Sequence, residues 1–143
     1  MKCLEYYRLN NMEQVIFINK GVGNKCQTIM LDSSAIGTSG SRCGRGGKEA
    51  YITRIDDEVG EDKVTFIKMD VEGAELSALQ GACKTIKANK PHLAICVYHK
   101  HSDLYDIPKY LLELVPEYRF VVRHYTSCMW ETVLYASVDG FQI

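Results

Sequence analysis

The sequence predicts an α/β fold with a largely parallel sheet. From Val64 onward, apolar runs of strand length alternate with amphipathic helical patterns, in the order strand–helix–strand–helix–strand–strand. The runs at Val64–Asp70 and His92–Tyr98 read as buried strands, and the continuous β-branched run Val15–Ile18 has the pattern of a strand covered on both faces. The last two strands have no helix between them, so one is expected to run antiparallel to its neighbours. The chain has 143 residues, 46% hydrophobic and 24% charged, which fits one domain over residues 1–143. That composition excludes a disordered chain, a collagen-like chain and a coiled coil.

Met1 to Asn11 reads as the tail of a helix ending at the Asn10-Asn11 pair. Val15-Ile16-Phe17-Ile18 is a short apolar run and a first strand candidate, broken by Gly21 and Gly23. Thr28–Leu31 is a second candidate. Residues 32–47, rich in glycine and serine and carrying Arg42 and Arg45, are expected to form a long flexible loop. Ala50–Arg54 follows as a strand, then Asp56-Asp57-Glu58 as an acidic turn. Val64–Asp70 is the clearest strand, and Val71-Glu72-Gly73 is a turn. Leu76, Leu79, Cys83 and Ile86 recur at three- and four-residue steps and mark one helix over Ala74–Lys87. Lys84 and Lys87 fall in its last turns, and Pro91 stops it. After the strand at His92–Tyr98, a second helix is expected to start near Asp106 with Pro108 in its first turn. Tyr118–Tyr125 and Thr132–Ser137 are the final strands, with a hairpin loop between them.

Lys plus Arg total 17 and Asp plus Glu 18, a net charge of −1. No general attraction to nucleic acid or to an anionic membrane is expected from that balance. Arg42, Arg45 and Lys48 form a small basic patch without interleaved aromatics, so a solvated loop is the better reading. No apolar run approaches the ~20 residues of a membrane span, and the N-terminus lacks the apolar stretch of a signal peptide. A cytoplasmic location is the expectation. The six cysteines are widely spaced without a C-x-x-C pair, so zinc-type spacing is absent and no metal enters this reading. Cys83 and Cys96 fit apolar patterns and read as small core residues.

The sharpest local feature is Phe66-Ile67-Lys68-Met69-Asp70-Val71-Glu72-Gly73-Ala74-Glu75. A buried strand delivers Asp70 to its carboxyl end, further carboxylates follow, and a helix opens. In open α/β sheets, ligands bind at the carboxyl ends of strands. Carboxylates there can order a ligand hydroxyl, accept a proton or hold a cation. They can also simply favour the helix N-terminus, with Asp70 as its cap. His99-Lys100-His101 ends the next strand. Neighbouring strands would set His99 beside Asp70 as an acid/base pair, although a solvated loop histidine is the plainer alternative. His92 and His124 have no evident partner in the sequence.

Lys68-Met69-Asp70-Val71-Glu72-Gly73-Ala74-Glu75, followed by Leu79-Gln80-Gly81-Ala82, resembles the signature of the FkbM family of S-adenosylmethionine-dependent methyltransferases. Asn19-Lys20-Gly21-Val22-Gly23 resembles the family's segment after its third strand. Tyr51–Asp57 resembles its Leu-Asp-Asp segment, and Lys90-Pro91-His92-Leu93 through His99 resembles its fifth strand. The resemblance runs from about Tyr6 to Ser137. It implies a Rossmann-like class I methyltransferase sheet in the order 3-2-1-4-5-7-6, ending in an antiparallel pair. It implies methyl transfer, usually to oxygen, with S-adenosylmethionine as cofactor and a small molecule or glycan as acceptor. It places Gly21 and Val22 near the cofactor's adenine, and Asp70, Glu72 and His99 toward the reacting centre, with Asp70 also on the cofactor.

The family's first strand with its Gly-rich turn, and its second strand, have no counterpart here. The chain is therefore expected to be a carboxyl-terminal portion with a sheet incomplete on its N-terminal side. Gly44-Arg45-Gly46 lies in the loop with no strand before it, so it is not read as a nucleotide loop. The strand at Val64–Asp70 would then be an exposed edge. Three arrangements remain open: a fragment of a longer enzyme, direct pairing of that strand with Val15–Asn19, or recruitment of a second copy or another chain across the edge. Two other functions stay in view. One is a non-catalytic binding or subunit module on the same scaffold. The other is a metal-dependent hydrolase using Asp70, Glu72 and His99.

Overall fold

The computed structural model describes residues 15–31 and 48–141. The helix expected at Met1–Asn11 and the loop at 32–47 lie outside them. The described chain forms seven strands and four helices. The strands are β1 (Gly21–Val22), β2 (Gln27–Leu31), β3 (Lys48–Thr53), β4 (Phe66–Met69), β5 (His92–Cys96), β6 (Arg119–His124) and β7 (Thr132–Ser137). The helices are α1 (Ile55–Val59), α2 (Glu75–Gln80), α3 (Cys83–Asn89) and α4 (Asp103–Leu114).

Two sheets result, one in the order β1-β3-β2 and the other β4-β5-β7-β6. β4 runs parallel to β5, while β7 is antiparallel to both β5 and β6. The antiparallel terminal strand follows from chain economy: β6 and β7 are joined by a hairpin, which cannot connect parallel neighbours. The hairpin closes through Tyr125 N–H donating to Glu131 O at 3.1 Å.

β5 sits inside its sheet, between β4 and β7, and its side chains alternate between two faces. Leu93, Ile95 and Val97 point into the main core with Met69, Leu134 and Ala136 of the flanking strands. Ala78 and Leu79 of α2, Ile86 of α3, and Ile107 and Leu111 of α4 cover that face. Each fully buried Leu or Ile here contributes about 1.5–3 kcal/mol by leaving water. Ala94, Cys96 and Val133 face the other way, against Tyr98 and Tyr135. Tyr118 is 4% exposed and its hydroxyl donates to Pro91 O at 2.7 Å, which ties the start of β5 to the entry of β6.

Several elements differ from the sequence reading. The apolar run Val15–Ile18 is not a strand. The ladder with β3 starts only at Gly21, paired with Ile52, and Ile16 is 86% exposed. Direct pairing of this segment with β4 is likewise not what forms, since β1 belongs to the other sheet. Asp56-Asp57-Glu58 is helical, as part of α1, rather than a turn.

The single helix expected over Ala74–Lys87 is two helices. The break falls at Gly81 and Ala82, where a Cβ on Gly81 would lie 2.0 Å from Gly23 O. The loop after β1 therefore docks where the helix is interrupted, and Asn24 N–H donates to Ser77 Oγ at 3.2 Å. Because α3 begins at Cys83, Lys84 lies in a first turn rather than a last one. α4 begins at Asp103, three residues before the expected cap, because Asp103 accepts the Lys100 N–H at 3.2 Å and starts the helix there. Pro108 is thereby inside the helix rather than in its first turn.

Candidate active site

β4 and β5 are parallel, so their carboxyl ends open on one side of the sheet. β4 delivers Asp70 there and β5 delivers Tyr98 and His99. Between β4 and α2 the chain turns through Glu72 at φ 53° and Gly73 at φ 89°. The left-handed region suits glycine, and a non-glycine residue held in it stores strain of about 1–3 kcal/mol, a feature that clusters at functional turns. A Cβ on Gly73 would also come within 3.3 Å of Lys100 Cε, a tight contact that the lysine side chain would have to relieve. Lys100 Nζ donates to Gly73 O and clamps the two loops together.

This geometry places the predicted residues around one imidazole. His99 Nε2 lies 3.6 Å from Asp70 Oδ1 and 3.4 Å from Glu72 Oε2. The His99 side chain is only 8% exposed, so it is not a solvated loop histidine, while Asp70 and Glu72 are 36% and 41% exposed. Asp70 does not cap the helix: the N-cap of α2 is Ala74, with no side-chain cap. Instead Asp70 accepts the Tyr98 hydroxyl at 3.1 Å and faces Lys68 Nζ at 4.0 Å. Burial first, and then the bond to Asp70, push the Tyr98 phenol up, so it stays a protonated donor.

Two acids that the sequence reading did not assign complete the surroundings. Glu75 is fully buried, accepts the Val71 N–H at 3.0 Å, and brings Oε1 to 2.8 Å from His99 Nδ1. The two atoms are close but not aligned as a hydrogen bond. Glu75 Oε2 and His99 Nδ1 are both buried without a hydrogen-bond partner among the described residues. Asp103 is 3% exposed, and its carboxyl is pushed up by burial and then by the Glu75 charge. The signal for Glu75 was its helical phase: it lies three, four and seven residues before Ala78, Leu79 and Ala82, all fully buried. Asp70, Glu75 and His99 could together hold a cation, since one ligand atom from each falls within 4.8 Å of the others.

Gly21 and Val22 are placed by β3. A Cβ on Gly21 would meet Ile52 Cδ1 at 2.5 Å, so this glycine serves close packing. His92 and His124 acquire partners: His92 Nε2 is 3.8 Å from Asp139 Oδ2, and His124 Nδ1 is 2.8 Å from Thr132 Oγ1.

Trp130, in the loop between β6 and β7, packs on Tyr98. It meets the Tyr98 ring edge-on with centroids 5.9 Å apart.

In open α/β sheets ligands bind at the carboxyl ends of the strands, and in this mixed α/β protein that end gathers carboxylates around a buried imidazole. A match to the methyltransferase FkbM domain covers residues 3–122, and the chain belongs to that family. It is similar to the crystal structure of methyltransferase FkbM from Methylobacillus flagellatus KT, with 34% identity and a TM-score of 0.73 over 94% of this chain and 32% of that one. The chain thus spans about a third of that protein's length. None of the curated proteins matches.

Proposed function

We propose that the site serves S-adenosylmethionine-dependent methyl transfer to a hydroxyl oxygen of a small molecule or glycan. The observation that supports it most is the convergence of Asp70 and Glu72 on His99 Nε2, at 3.6 and 3.4 Å, at the ends of adjacent parallel strands. Family membership adds weight, as does the order β4-β5-β7-β6 with β7 antiparallel. That order is the carboxyl-side half of the Rossmann-like sheet the resemblance implies. No helix among the described residues is long and apolar enough to cross a membrane, and a cytoplasmic setting is part of this reading.

The cofactor supplies a methyl group already activated on a sulfonium. An exposed acidic turn fits a cationic donor: the Asp70 and Glu72 carboxylates attract the positive centre and accept hydrogen bonds from hydroxyl groups. Gly21 fits less well as a cofactor contact, because the space a Cβ would fill is taken by Ile52. The bound cofactor would supply its methyl group to the acceptor oxygen and leave as the neutral thioether, and His99 Nε2 would take the hydroxyl proton. His99 is suited to that task because its Nε2 faces the turn at the strand ends, 3.6 Å from Asp70 Oδ1 and 3.4 Å from Glu72 Oε2. Tyr98 orients Asp70 through its hydroxyl.

The exposed edge of β4, where Phe66 is 55% exposed, is the place where a second copy or another chain would add a strand. No nucleic-acid or membrane partner is part of this proposal.

Calorimetric titration with S-adenosylmethionine tests it. Saturable binding is expected, weakened about tenfold to a hundredfold in Asp70→Asn, as befits loss of a charged hydrogen-bond acceptor. Absence of binding by the unsubstituted chain, or equal affinity in the variant, would overturn the assignment.

A further inference from the structure

The geometry points to a divalent cation site of the Mn2+ type formed by Asp70, Glu75 and His99. Four acidic residues, Asp70, Glu72, Glu75 and Asp103, surround this one imidazole, and two of them are buried. The nearby lysines do not balance them. Lys68 Nζ stands 4.0 Å from Asp70 on the exposed side, and Lys100 Nζ is turned to the Gly73 carbonyl. A fully buried carboxylate oxygen without a partner is costly unless a cation completes it. Glu75 Oε2 is such an atom, and His99 Nδ1 is an unpartnered buried nitrogen beside it.

The separations suit shared ligation. Two atoms each about 2.1 Å from one ion lie about 3 Å apart when adjacent and at most about 4.2 Å apart when opposed. Glu75 Oε1 and His99 Nδ1 approach to 2.8 Å, the separation of adjacent ligands, whereas Asp70 Oδ1 lies by the other ring nitrogen, 3.6 Å from Nε2, and has to swing toward Glu75 to complete the set. The three-residue set spans up to 4.8 Å, so binding requires a contraction of about half an ångström. Two carboxylates and an imidazole form a mixed oxygen–nitrogen set of the kind that takes Mn2+ and its neighbours in the first transition row. The second carboxylate of the turn, Glu72, stays free to face an incoming hydroxyl. The cation's part in catalysis rests on the methyl-transfer reading: it would lower the pKa of a bound acceptor hydroxyl. Its binding does not rest on that reading.

The test is therefore made without a methyl donor. The full chain is titrated with MnCl2, and free Mn2+ is followed by its electron paramagnetic resonance signal. Saturable removal of that signal is expected. It should weaken by at least about tenfold in Glu75→Gln and in Asp70→Asn, and be unchanged in Glu117→Gln, at a remote surface pair with Lys90. Asp70 is partly exposed, so its variant keeps the core even if loss of buried Glu75 disturbs folding. Failure of the unsubstituted chain to remove Mn2+, or variants that bind it as well as the parent, would overturn the site. Either result leaves the S-adenosylmethionine titration to be judged on its own.

Discussion

Asp56→Ala removes one carboxylate that ties α1 to the start of α3. Asp56 lies in α1, yet its oxygens accept from the first turn of α3: Thr85 N–H at 2.9 Å, Thr85 Oγ1 at 3.0 Å and Lys84 N–H at 3.2 Å. Arg54 Nη2 adds a fourth donor at 2.9 Å. α3 has no side-chain cap of its own at Ala82, so Asp56 caps it from a distance. Loss of a cap costs about 1 kcal/mol, and a stranded buried Thr85 hydroxyl adds about 1–3 kcal/mol. The half-buried Arg54 pair adds less than about 1 kcal/mol. A total near 3 kcal/mol corresponds to a urea midpoint lower by roughly 1.5 M, at a slope of about 2 kcal/mol per M. The pH profile supplies a second readout. Burial raises the Asp56 pKa, but the Thr85 and Lys84 bonds and Arg54 outweigh it and hold the carboxyl below its usual 3.8. A depressed folded-state pKa contributes stability that is complete above 3.8 and is lost as pH falls through the lower value. The variant should lack that acid-side decline. A midpoint change below about 0.3 M, equivalent to roughly 0.5 kcal/mol, or identical acid profiles in both proteins, would refute the capping argument.

Three further outcomes are expected. Gly81→Ala forces a methyl against the Gly23 carbonyl, backbone to backbone, and should cost at least the upper part of about 1–3 kcal/mol in urea unfolding. Tyr118→Phe leaves the Pro91 carbonyl without its donor and should cost about 1 kcal/mol in the same assay. Cys128 should be alkylated well before Cys96 at pH 8, as mass spectrometry of iodoacetamide-treated protein would show. The Cys128 thiol is exposed and held low by the Thr126 hydroxyl, whereas burial pushes Cys96 up to about 11.

Much of the fold was legible because periodicity and burial agreed. β7 falls on the expected Thr132–Ser137, and β5 on the apolar run before Tyr98. Meeting of Asp70 and His99 followed from parallel neighbours alone. What escaped the sequence was set by contacts distant along the chain. The Gly81 break exists because Gly23 docks there, and nothing local to the helical pattern announces Gly23. Val15–Ile18 has strand composition, but the ladder with β3 begins only at Gly21, and composition does not fix where pairing starts. Glu75 looked like an ordinary first-turn acid, and only its phase with Ala78 and Leu79 marks it as buried. Asp56 reads locally as part of an acidic turn, while its partners lie almost thirty residues away, at Lys84 and Thr85.

The chain contains a single tryptophan. Trp130 abuts Tyr98, and Tyr98 holds Asp70. All indole emission from this protein therefore arises one ring away from the acidic turn, at a side chain 55% exposed. Fluorescence is thus a built-in, label-free gauge of what arrives there, usable on a dilute sample.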